Sequence, residues 1–505
     1  MQSRKRSGCT AREENVAGIA GIIGKGATAE KVNGMLETVR HRGPGSTTVQ
    51  AVPGGVVGIA EMRPSTSAAS REVENGPPVV LLDGVLYNRR LDSSSGTAVL
   101  RELYKGQGTG CFPELDGSFA CAVADGSQVI IARDGVGARP LVYGTGPDGT
   151  FYFASEAKAL RAFVEEVQEL PPARCFSSVT GLESFRPFSP PVPEFDGPEE
   201  AARVLRELVI QAVERAMSGG EVGGVSLSGG LDSSIVLAVA RDLDPRIKAF
   251  SSTIKDHPGE DLAYARLMAR EADVELYVYE LTDEDIAEVI PTSIWHLESF
   301  DEDCVSGFVA NYYTSRLASR FTDCVLVGEG ADELFGGYFR ELASISEPAE
   351  QERVARKLLE VAYNTALRRL DRAWTANSVE YRPPFLDAAV AAFSNKIPLD
   401  LKVYAAEHAA ETPVEKWILR EAFRDLLPAE IADRPKLRFA RGVGVDSLMD
   451  RAVAGKVSQQ EFASAPQAER GLRLNSPKEL HFYKLFRECF PAGYEGLTVR
   501  WDPFK

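Results

Sequence analysis

The segment from Ser228 to Ser234 has residue types suited to binding the phosphates of a nucleotide. Its sequence is Ser228-Gly229-Gly230-Leu231-Asp232-Ser233-Ser234. Glycines let the backbone approach an anion closely, and the serine hydroxyls and backbone amides can donate hydrogen bonds to phosphate oxygens. Because the carboxylate of Asp232 repels phosphates unless a divalent cation lies between them, the pattern also predicts Mg²⁺. The alternative is a helix cap, but a cap needs one such residue and not the whole string.

The elements around this loop place it at the carboxyl edge of a predicted sheet. Residues 221–227 are predicted to form a buried strand and 235–241 a helix, whose N-terminus favours an anion. Further strands are predicted at residues 248–253, 274–281 and 324–328, separated by helical patterns. This alternation indicates a doubly wound parallel α/β sheet, in which ligands bind at the carboxyl ends of the strands.

A second segment rich in glycine and acidic residues follows the last of these strands. Residues 327–338 read Val-Gly-Glu-Gly-Ala-Asp-Glu-Leu-Phe-Gly-Gly-Tyr, which puts Glu329 at the same sheet edge as the loop. Asp332 could share a cation with Asp232, and Glu329 could act as a base or orient a substrate. An acidic surface turn is the alternative. A basic run at residues 434–439 offers cations to a transition state, although a solvated basic face is the commoner explanation of such a run.

The composition is that of a soluble protein with two or three domains. The 505 residues are 44% hydrophobic and 26% charged, and the net charge of −16 disfavours non-specific binding to nucleic acid or an anionic membrane. No stretch has the length and apolarity of a membrane span, and the first 15 residues are too polar for a secretory signal, so we expect a cytoplasmic protein. The seven cysteines include no Cys-x-x-Cys pair and suggest neither a disulfide framework nor a zinc site.

Three regions are predicted along the chain. Residues 1–15 are polar and aperiodic, which predicts a disordered extension. Residues 16–190 contain short apolar runs divided by turns, typical of a sheet-rich domain, and a proline-rich stretch at 186–193 is predicted to be the linker to the next region. Residues 191–505 have longer helical patterns and carry the phosphate loop.

Taken together, these segments resemble the asparagine synthetase B family over almost the whole chain after residue 15. Besides the two glycine-rich motifs, the chain has a version of the family's Glu-x-Arg-x-Pro-Phe-Leu-Asp motif at 380–387, Lys-x-Ile-Leu-Arg at 416–420, and an Arg-x-Lys segment before Gly442. The resemblance implies that residues 191–505 form a PP-loop ATP pyrophosphatase domain with a doubly wound parallel sheet, using ATP and Mg²⁺.

The resemblance also implies roles for individual residues. Ser228 to Ser234 would bind pyrophosphate, and Asp232 and Asp332 would hold Mg²⁺. Lys436 would stabilise the charge that builds up during attack on an acyl-adenylate, and Glu329 would assist the incoming amine. The adenosine pocket would be lined by Leu227, Ser252, Val327 and Gly328.

The amino-terminal region resembles the family's glutaminase domain, a type 2 glutamine amidotransferase domain with the sandwich fold of the N-terminal-nucleophile (Ntn) hydrolases. The supporting segments are Gly-Ile-Ala-Gly-Ile at 18–22, His-Arg-Gly-Pro at 41–44, Ala-Arg-Asp-Gly-Val-Gly at 132–137 and Phe-Ala-Ser-Glu at 153–156. The resemblance implies that residues 16–190 share this fold.

The glutaminase chemistry is nevertheless missing from this region. The family's nucleophilic cysteine, whose own amine serves as base, is replaced by Ala17. The family's Asn-Gly-Glu, which supports the oxyanion and the substrate, is replaced by Asp83-Gly84-Val85, and an anionic Asp83 would repel an oxyanion. Arg-Gly-Pro-Asp has become Arg42-Gly43-Pro44-Gly45, and Gly96 stands where an aspartate would bind the amino group of glutamine. We therefore expect an inactive glutaminase domain.

Two other possibilities do not restore the nucleophile. Processing after Gly8 would expose Cys9, but the residues that follow it do not continue as the apolar first strand. Translation starting at Val16 would leave Ala17 as the first residue, which again has no thiol.

The expected function is that of an ATP-dependent amide-forming ligase of the asparagine synthetase type. It would activate a carboxylate, aspartate in the simplest case, as the acyl-adenylate and transfer it to ammonia, releasing AMP and pyrophosphate. One alternative follows the β-lactam synthetase and lasso-peptide cyclase relatives, in which an amine of the substrate attacks. Glu329 favours the synthetase, because the β-lactam branch has tyrosine there. A catalytically silent binding or regulatory homologue is the other alternative, and the retained motifs argue against it.

The expected partners are therefore small molecules, a carboxylate together with ammonia or an amine, and neither nucleic acid nor a membrane. A homodimer is compatible with the sequence. Residues 299–309 are expected to line the acceptor pocket, but their types do not identify the carboxylate.

Overall fold

The structure is a computed structural model that describes residues 17–62, 77–88, 95–218, 222–256, 259–338, 345, 347–404, 414–435, 443–465 and 473–500. The predicted disordered extension, including Cys9, lies outside the described residues, as does Lys436.

Two antiparallel sheets form the centre of the amino-terminal half. Their strands are β1 (Ala17–Ile23), β2 (Ser46–Val52), β3 (Gly55–Glu61), β4 (Val79–Leu86), β5 (Gly117–Asp125), β6 (Gln128–Arg133), β7 (Val142–Thr145), β8 (Phe151–Ala154), β9 (Gln168–Glu169), β10 (Arg174–Ser177) and β11 (Gly181–Ser184). One sheet has the order β2-β3-β1-β8-β7-β9 and the other β11-β10-β6-β5-β4. Apolar side chains from both sheets, among them Ile19, Leu81 and Phe153, form the core between them. The expected sandwich is therefore present.

Helices cover the outer faces of this sandwich. They are α1 (Ala29–Thr38) and α2 (Gly96–Gln107), with 3₁₀ turns at Arg40–Arg42, Gly108–Glu114 and Ala157–Ala159. Met35 and Leu36 of α1 pack on Ile22 of the first sheet, and Leu100 of α2 packs on Leu82 of the second. The layers thus run helix, sheet, sheet, helix. Beyond them, residues 185–196 form neither helix nor strand.

A parallel sheet organises the carboxy-terminal half. Its strands are β12 (Gly224–Ser226), β13 (Lys248–Ile254), β14 (Leu276–Leu281), β15 (Cys324–Leu326) and β16 (Glu380–Arg382), and a separate hairpin is formed by β17 (Val403–Tyr404) and β18 (Val414–Glu415). The order is β14-β13-β12-β15-β16, with every neighbouring pair parallel. The chain builds β13 and β14 on one side of β12 and then crosses to the other side, so the strand order reverses at the carboxyl end of β12.

Helices lie on both faces of this sheet, as the doubly wound prediction requires. They are α3 (Gly197–Ser218), α4 (Leu231–Leu243), α5 (Glu260–Glu271), α6 (Asp283–Leu297), α7 (Glu302–Ala318), α8 (Ala331–Phe335), α9 (Pro348–Val361), α10 (Ala366–Thr375), α11 (Ala388–Ser394), α12 (Leu399–Lys402), α13 (Trp417–Phe423), α14 (Ala429–Ala432), α15 (Val445–Val453), α16 (Gln459–Ser464) and α17 (Pro477–Cys489), with 3₁₀ turns at Ala362–Asn364, Pro384–Leu386, Arg424–Leu426 and Glu495–Leu497. Helices α3, α4 and α5 pack on one face, and α7 and α10 on the other. None of the helices in the described ranges is long and apolar enough to cross a membrane.

The strands that lead into the two glycine-rich motifs are shorter than predicted. The strand expected at 221–227 spans Gly224–Ser226, and the one expected at 324–328 spans Cys324–Leu326. Gly229 explains the early end of the first, because its φ of +75° turns the chain away from the sheet. The short strands leave residues 228–234 and 328–338 beyond the sheet edge.

Candidate active site

The predicted phosphate loop joins β12 to α4 at the point where the strand order reverses. Gly229 must be glycine, because a Cβ there would lie 2.4 Å from the backbone nitrogen of Ala265. Inside the loop, the backbone N–H of Ser228 donates to Oγ of Ser233 (3.2 Å), and the two serine hydroxyls are 3.1 Å apart. Oγ of Ser234 is buried and has no hydrogen-bond partner among the described residues. The loop therefore keeps polar groups at the N-terminus of a helix, where an anion is favoured.

The second glycine-rich motif packs directly against this loop. A Cβ on Gly328 would lie 2.8 Å from the backbone nitrogen of Ser233 and 3.1 Å from Cβ of Asp232. Gly330 has a φ of +99°, and a Cβ there would meet the side chain of Leu386. Only glycine fits these positions, so Glu329 is held between two close contacts. The sequence prediction that the two motifs meet at one sheet edge is confirmed.

Asp232 and Asp332 come together around a lysine. Nζ of Lys416 lies 2.5 Å from Oδ2 of Asp232 and 2.5 Å from Oδ1 of Asp332. Lys416 is 2% exposed and adopts a φ of +55° just before α13. A Cβ on Gly337 would also lie 2.7 Å from Cε of the lysine. Lys416 belongs to the Lys-x-Ile-Leu-Arg motif at 416–420, which predicts no role for it. Only the fold shows that it joins the two carboxylates.

The residues around the two aspartates fit a magnesium ion bound together with phosphates. Oδ1 of Asp232 is buried and accepts no hydrogen bond from any described residue, so it retains capacity for a further ligand. Mg²⁺ in nucleotide sites is held by one or two carboxylates, with phosphate oxygens and waters completing its shell. No cluster of three or more acidic, histidine or cysteine side chains able to hold a metal occurs in the described part of the chain.

Glu329 is half-buried at the same sheet edge. Burial raises the pKa of its carboxyl to about 7, while Arg369 opposes this rise and Glu333 and Asp332 reinforce it. Neighbouring Glu333 is also shifted upward in pKa, chiefly by burial, and accepts a hydrogen bond from the hydroxyl of Tyr338 (2.8 Å). A carboxyl with a pKa near neutrality can accept a proton from a substrate at physiological pH.

The residues predicted to line the adenosine pocket lie along this edge. The backbone N–H of Leu227 donates to the carbonyl of Phe250, and that of Val327 donates to the carbonyl of Arg382. The hydroxyl of Ser252, on β13, donates to the carbonyl of Ala310 (3.1 Å) and accepts from Thr314 (3.0 Å). Since this hydroxyl is used within the protein, we expect a ligand to meet the backbone of Ser252.

Arg434, the first residue of the predicted basic patch, is not part of a solvated face. Its guanidinium donates to the carbonyl of Gly229 (3.1 Å) and pairs with Asp261 (2.5 Å). It also stacks over the ring of Tyr264, 3.9 Å from its centroid. The side chain is buried and braces the turn of the phosphate loop. Residues 436–439 of the patch, including Lys436, lie outside the described residues.

The motif at 380–387, ambiguous from the sequence, consists of paired structural charges. Glu380 pairs with Arg382 (2.8 Å), which also donates to the carbonyl of Ala216 at the end of α3. Asp387 accepts a hydrogen bond from Arg215 (2.9 Å). These contacts tie the edge strand β16 to α3.

Ala17, Arg42 and Asp83, three of the predicted glutaminase positions, lie together, and their polar groups bond to one another. The backbone N–H of Ala17 donates to Oδ1 of Asp83 (3.1 Å), and Ala17 is 2% exposed. Gly84 has a φ of +122°, and a Cβ there would lie 2.0 Å from the carbonyl oxygen of Ser118. Gly96 is the first residue of α2.

Arg42 uses every donor of its guanidinium inside the protein. Nε donates to the carbonyl of Ala17 (3.1 Å), and Nη2 donates to Asp83 (3.0 Å) and Asp371 (3.2 Å). Nη1 donates to Glu156 (3.0 Å) and Asp371 (2.7 Å). Asp371 belongs to the carboxy-terminal half, so the chain's two halves meet at this arginine. No local sequence pattern predicts this contact, because the paired residues are 329 positions apart.

Comparisons with known proteins agree with this arrangement of two domains. The model of the asparagine synthase family matches residues 204–360 and 343–484. The model of the glutamine amidotransferase domain matches residues 16–178. The glutamine amidotransferase fold and the parallel ligase sheet therefore occur in the order that the sequence predicts.

Several relatives resemble the chain over most of its length. A probable asparagine synthetase [glutamine-hydrolyzing] of Dictyostelium discoideum is 30% identical over 79% of this chain and 77% of its own length. The asparagine synthetase [glutamine-hydrolyzing] of Zea mays is 28% identical over 94% of this chain and 86% of its own. Among solved structures, an allosteric regulatory enzyme of purine biosynthesis covers 52% of this chain and 64% of its own, at 17% identity and a TM-score of 0.28. A match that weak adds nothing to the assignment.

The fold and the matched domains define an ATP-dependent carbon–nitrogen ligase with an attached glutamine amidotransferase domain. More particularly, the chain belongs to the asparagine synthase family.

Proposed function

We propose that this ligase activates a carboxylate, aspartate in the simplest case, as its acyl-adenylate and transfers the acyl group to ammonia. The products would be the amide, AMP and pyrophosphate. The arrangement of Asp232 and Asp332 around Lys416, next to the glycine loop and Glu329, is the observation that carries the proposal. It puts groups suited to a metal-bound pyrophosphate beside a group suited to accepting a proton.

In the first step, the phosphate loop would hold the pyrophosphate end of ATP. Backbone amides of Ser228 to Ser234 and the start of α4 favour the anion, and Arg434 keeps Gly229 in its turn. Lys416 would donate to phosphate oxygens while keeping the two aspartates close together. Magnesium, held by Asp232 and Asp332, would neutralise charge on the phosphates.

In the second step, the amine must lose a proton as it attacks the acyl-adenylate. Glu329, whose carboxyl pKa is raised to about 7, would orient the amine and take that proton. Lys436 would stabilise the negative charge on the carbonyl oxygen, a role that stays a prediction because the residue is outside the described ranges.

The test is a screen of carboxylates for ATP–pyrophosphate exchange and AMP release, with and without ammonia. Aspartate should support exchange without ammonia and should yield asparagine when ammonia is present. If no carboxylate in the panel supported exchange, the proposal would be contradicted and a binding or regulatory protein would be favoured.

A second candidate is a ligase in which an amine of the substrate itself attacks, as in the β-lactam synthetases and lasso-peptide cyclases. The filled pocket around Arg42, with alanine at position 17, favours it, because no nitrogen would come from glutamine. The same screen separates the two candidates: amide formation in the absence of ammonia would support the second.

A further inference from the structure

A connected cluster of buried charges occupies the contact between the two halves. We call it the interdomain charge cluster; its cations are Arg42, Arg139, Lys158 and Arg372, and its anions are Asp83, Glu156, Glu298 and Asp371. None of the eight residues is more than 2% exposed. Water therefore contributes little to solvating them, and each depends on its partners.

The charges balance only when the two halves are joined. The amino-terminal half contributes three cations and two carboxylates, and the carboxy-terminal half contributes Glu298, Asp371 and the single cation Arg372. Each half contributes one charge of this cluster that it does not compensate itself, positive in the first and negative in the second. A shift that kept these groups buried but separated them from their partners would be strongly unfavourable, so the cluster favours one fixed arrangement of the halves.

Arg42 and Asp371 are the central pair of this cluster. Two hydrogen bonds join them, of 2.7 and 3.2 Å. Burial alone would raise the pKa of Asp371, but Arg42 and Arg372 outweigh it and the pKa is lowered. The carboxylate is therefore held ionised in contact with the arginine.

Helix α10, which carries Asp371, also reaches the ligase site. Arg369, on the same helix, pairs with Asp303 of α7 (2.7 Å). Its side chain packs tightly on α7, because a Cβ on Gly307 would lie 2.6 Å from Cδ of the arginine. The charge of Arg369 also acts on Glu329, where it opposes the rise in pKa caused by burial. Helix α10, which has 10 residues and is about 15 Å long, thus connects the interdomain charge cluster at Asp371 with the contacts of Arg369 on α7.

We propose that Arg42 and Asp371 are positioning residues for the ligase. By fixing α10 to the amino-terminal half, they hold Arg369 in place against Asp303 and Gly307 of α7, within the segment expected to line the acceptor pocket. The former glutaminase site thus serves as a structural lock for the site that makes the amide. The catalytic part of this inference rests on the proposed function, whereas the lock itself does not.

The lock is tested without turnover by a double-mutant cycle. Arg42→Gln, Asp371→Asn and the double variant are compared by thermal unfolding of the full chain. The two single variants should lower the melting temperature by more, in sum, than the double variant does, because each leaves a buried partner unpaired. Additive shifts would overturn the lock.

Hydrogen exchange then tests whether the lock acts on Arg369. In Arg42→Gln, amides of α10 and of residues 302–307 should exchange faster than in the parent. The matched control is Arg161→Gln. Arg161 also bridges the two halves, because it donates to the carbonyl of Cys489 and lies over the ring of Trp295, but these contacts do not involve α10. Faster exchange in the control alone, or unchanged exchange in Arg42→Gln, would contradict the positioning role.

Kinetics separate positioning from general loss of structure. Below the melting temperature, Arg42→Gln should lower kcat for amide formation about tenfold while KM for ATP changes less than about twofold, since the phosphate loop is built on other elements. Arg42→Lys, which keeps the charge, should recover part of kcat. An unchanged kcat in Arg42→Gln would overturn the inference. If the parent itself catalyses no exchange, the proposed function fails, and the unfolding cycle and hydrogen exchange still decide the lock.

Discussion

The ligase site and the region around Arg42 in the amino-terminal half treat their charges in opposite ways. At the ligase site, Oδ1 of Asp232 and Oγ of Ser234 are buried without hydrogen-bond partners among the described residues. In the amino-terminal half, every donor of the Arg42 guanidinium is taken up by protein groups. The ligase site thus keeps buried polar atoms that a ligand could bind, whereas the polar atoms around Arg42 are bonded to other protein groups.

This difference supports the prediction that the glutaminase chemistry is missing although the fold is kept. Asp83 stands where the family has asparagine, and its carboxylate pairs with Arg42 instead of supporting an oxyanion. Burial raises the pKa of Asp83, and Arg42 partly offsets that rise. Because these charges satisfy one another across the halves, we expect the domain to stabilise the assembly rather than to bind glutamine.

The strongest test of the ligase side is removal of either aspartate. Asp232→Ala and Asp332→Ala should each reduce ATP–pyrophosphate exchange to background, because both carboxylates are needed to hold the cation against the pyrophosphate. Asp242→Ala, an exposed carboxylate on the same helix as Asp232, is the matched control and should leave exchange unchanged. Normal magnesium-dependent exchange in either active-site variant would show that the site is assigned wrongly.

Replacing Glu329 should separate the two half-reactions. Glu329→Gln keeps the shape and hydrogen-bonding capacity of the side chain but removes its basicity. Exchange should largely persist, while amide synthesis falls by roughly 10²–10⁴-fold, the usual contribution of a general base. Both rates are measured on one preparation, so exchange serves as the internal control. Amide synthesis at the parent rate would make the carboxylate structural.

The pH dependence of amide synthesis should report the same carboxyl. With a pKa of about 7, Glu329 is protonated at lower pH and cannot accept a proton. The rate should therefore rise by about tenfold per pH unit below that value and level off above it. Exchange, which does not use this base, should lack the step near pH 7, as should amide synthesis in Glu329→Gln. A flat profile in the parent would contradict the assignment.

Much of the fold and of the ligase site could be predicted from local sequence. The phosphate loop combines a strand, glycines and a helix within about 20 residues, so its chemistry can be interpreted without knowing the rest of the chain. The meeting of Glu329 with this loop followed from a rule about parallel sheets, which needs no side-chain detail. The roles of these residues remain predictions.

Long-range charge pairing could not be predicted in the same way. Lys416 is 184 residues from Asp232, and Arg42 is 329 from Asp371; neither spacing has a periodic or local signature. Arg434 belongs to a run of cations, and such a run does not indicate which of its side chains is buried. Such pairs follow from tertiary packing, which a single sequence does not encode locally.

Returning the missing thiol should have the smallest effect of all. We expect that Ala17→Cys, expressed so that residue 17 is the free amino terminus, will hydrolyse glutamine no faster than the parent. The position is buried, and its backbone N–H and carbonyl contact Asp83 and Arg42, so a substrate would have to displace a paired cluster. Ammonia should remain the better nitrogen donor. Release of glutamate is measured beside amide synthesis, and thiol labelling of the unfolded variant confirms the substitution. Glutamate formation at a rate comparable to amide synthesis would mean that the pocket opens. The contrast between the two regions would then come from the missing thiol at position 17 rather than from their paired charges.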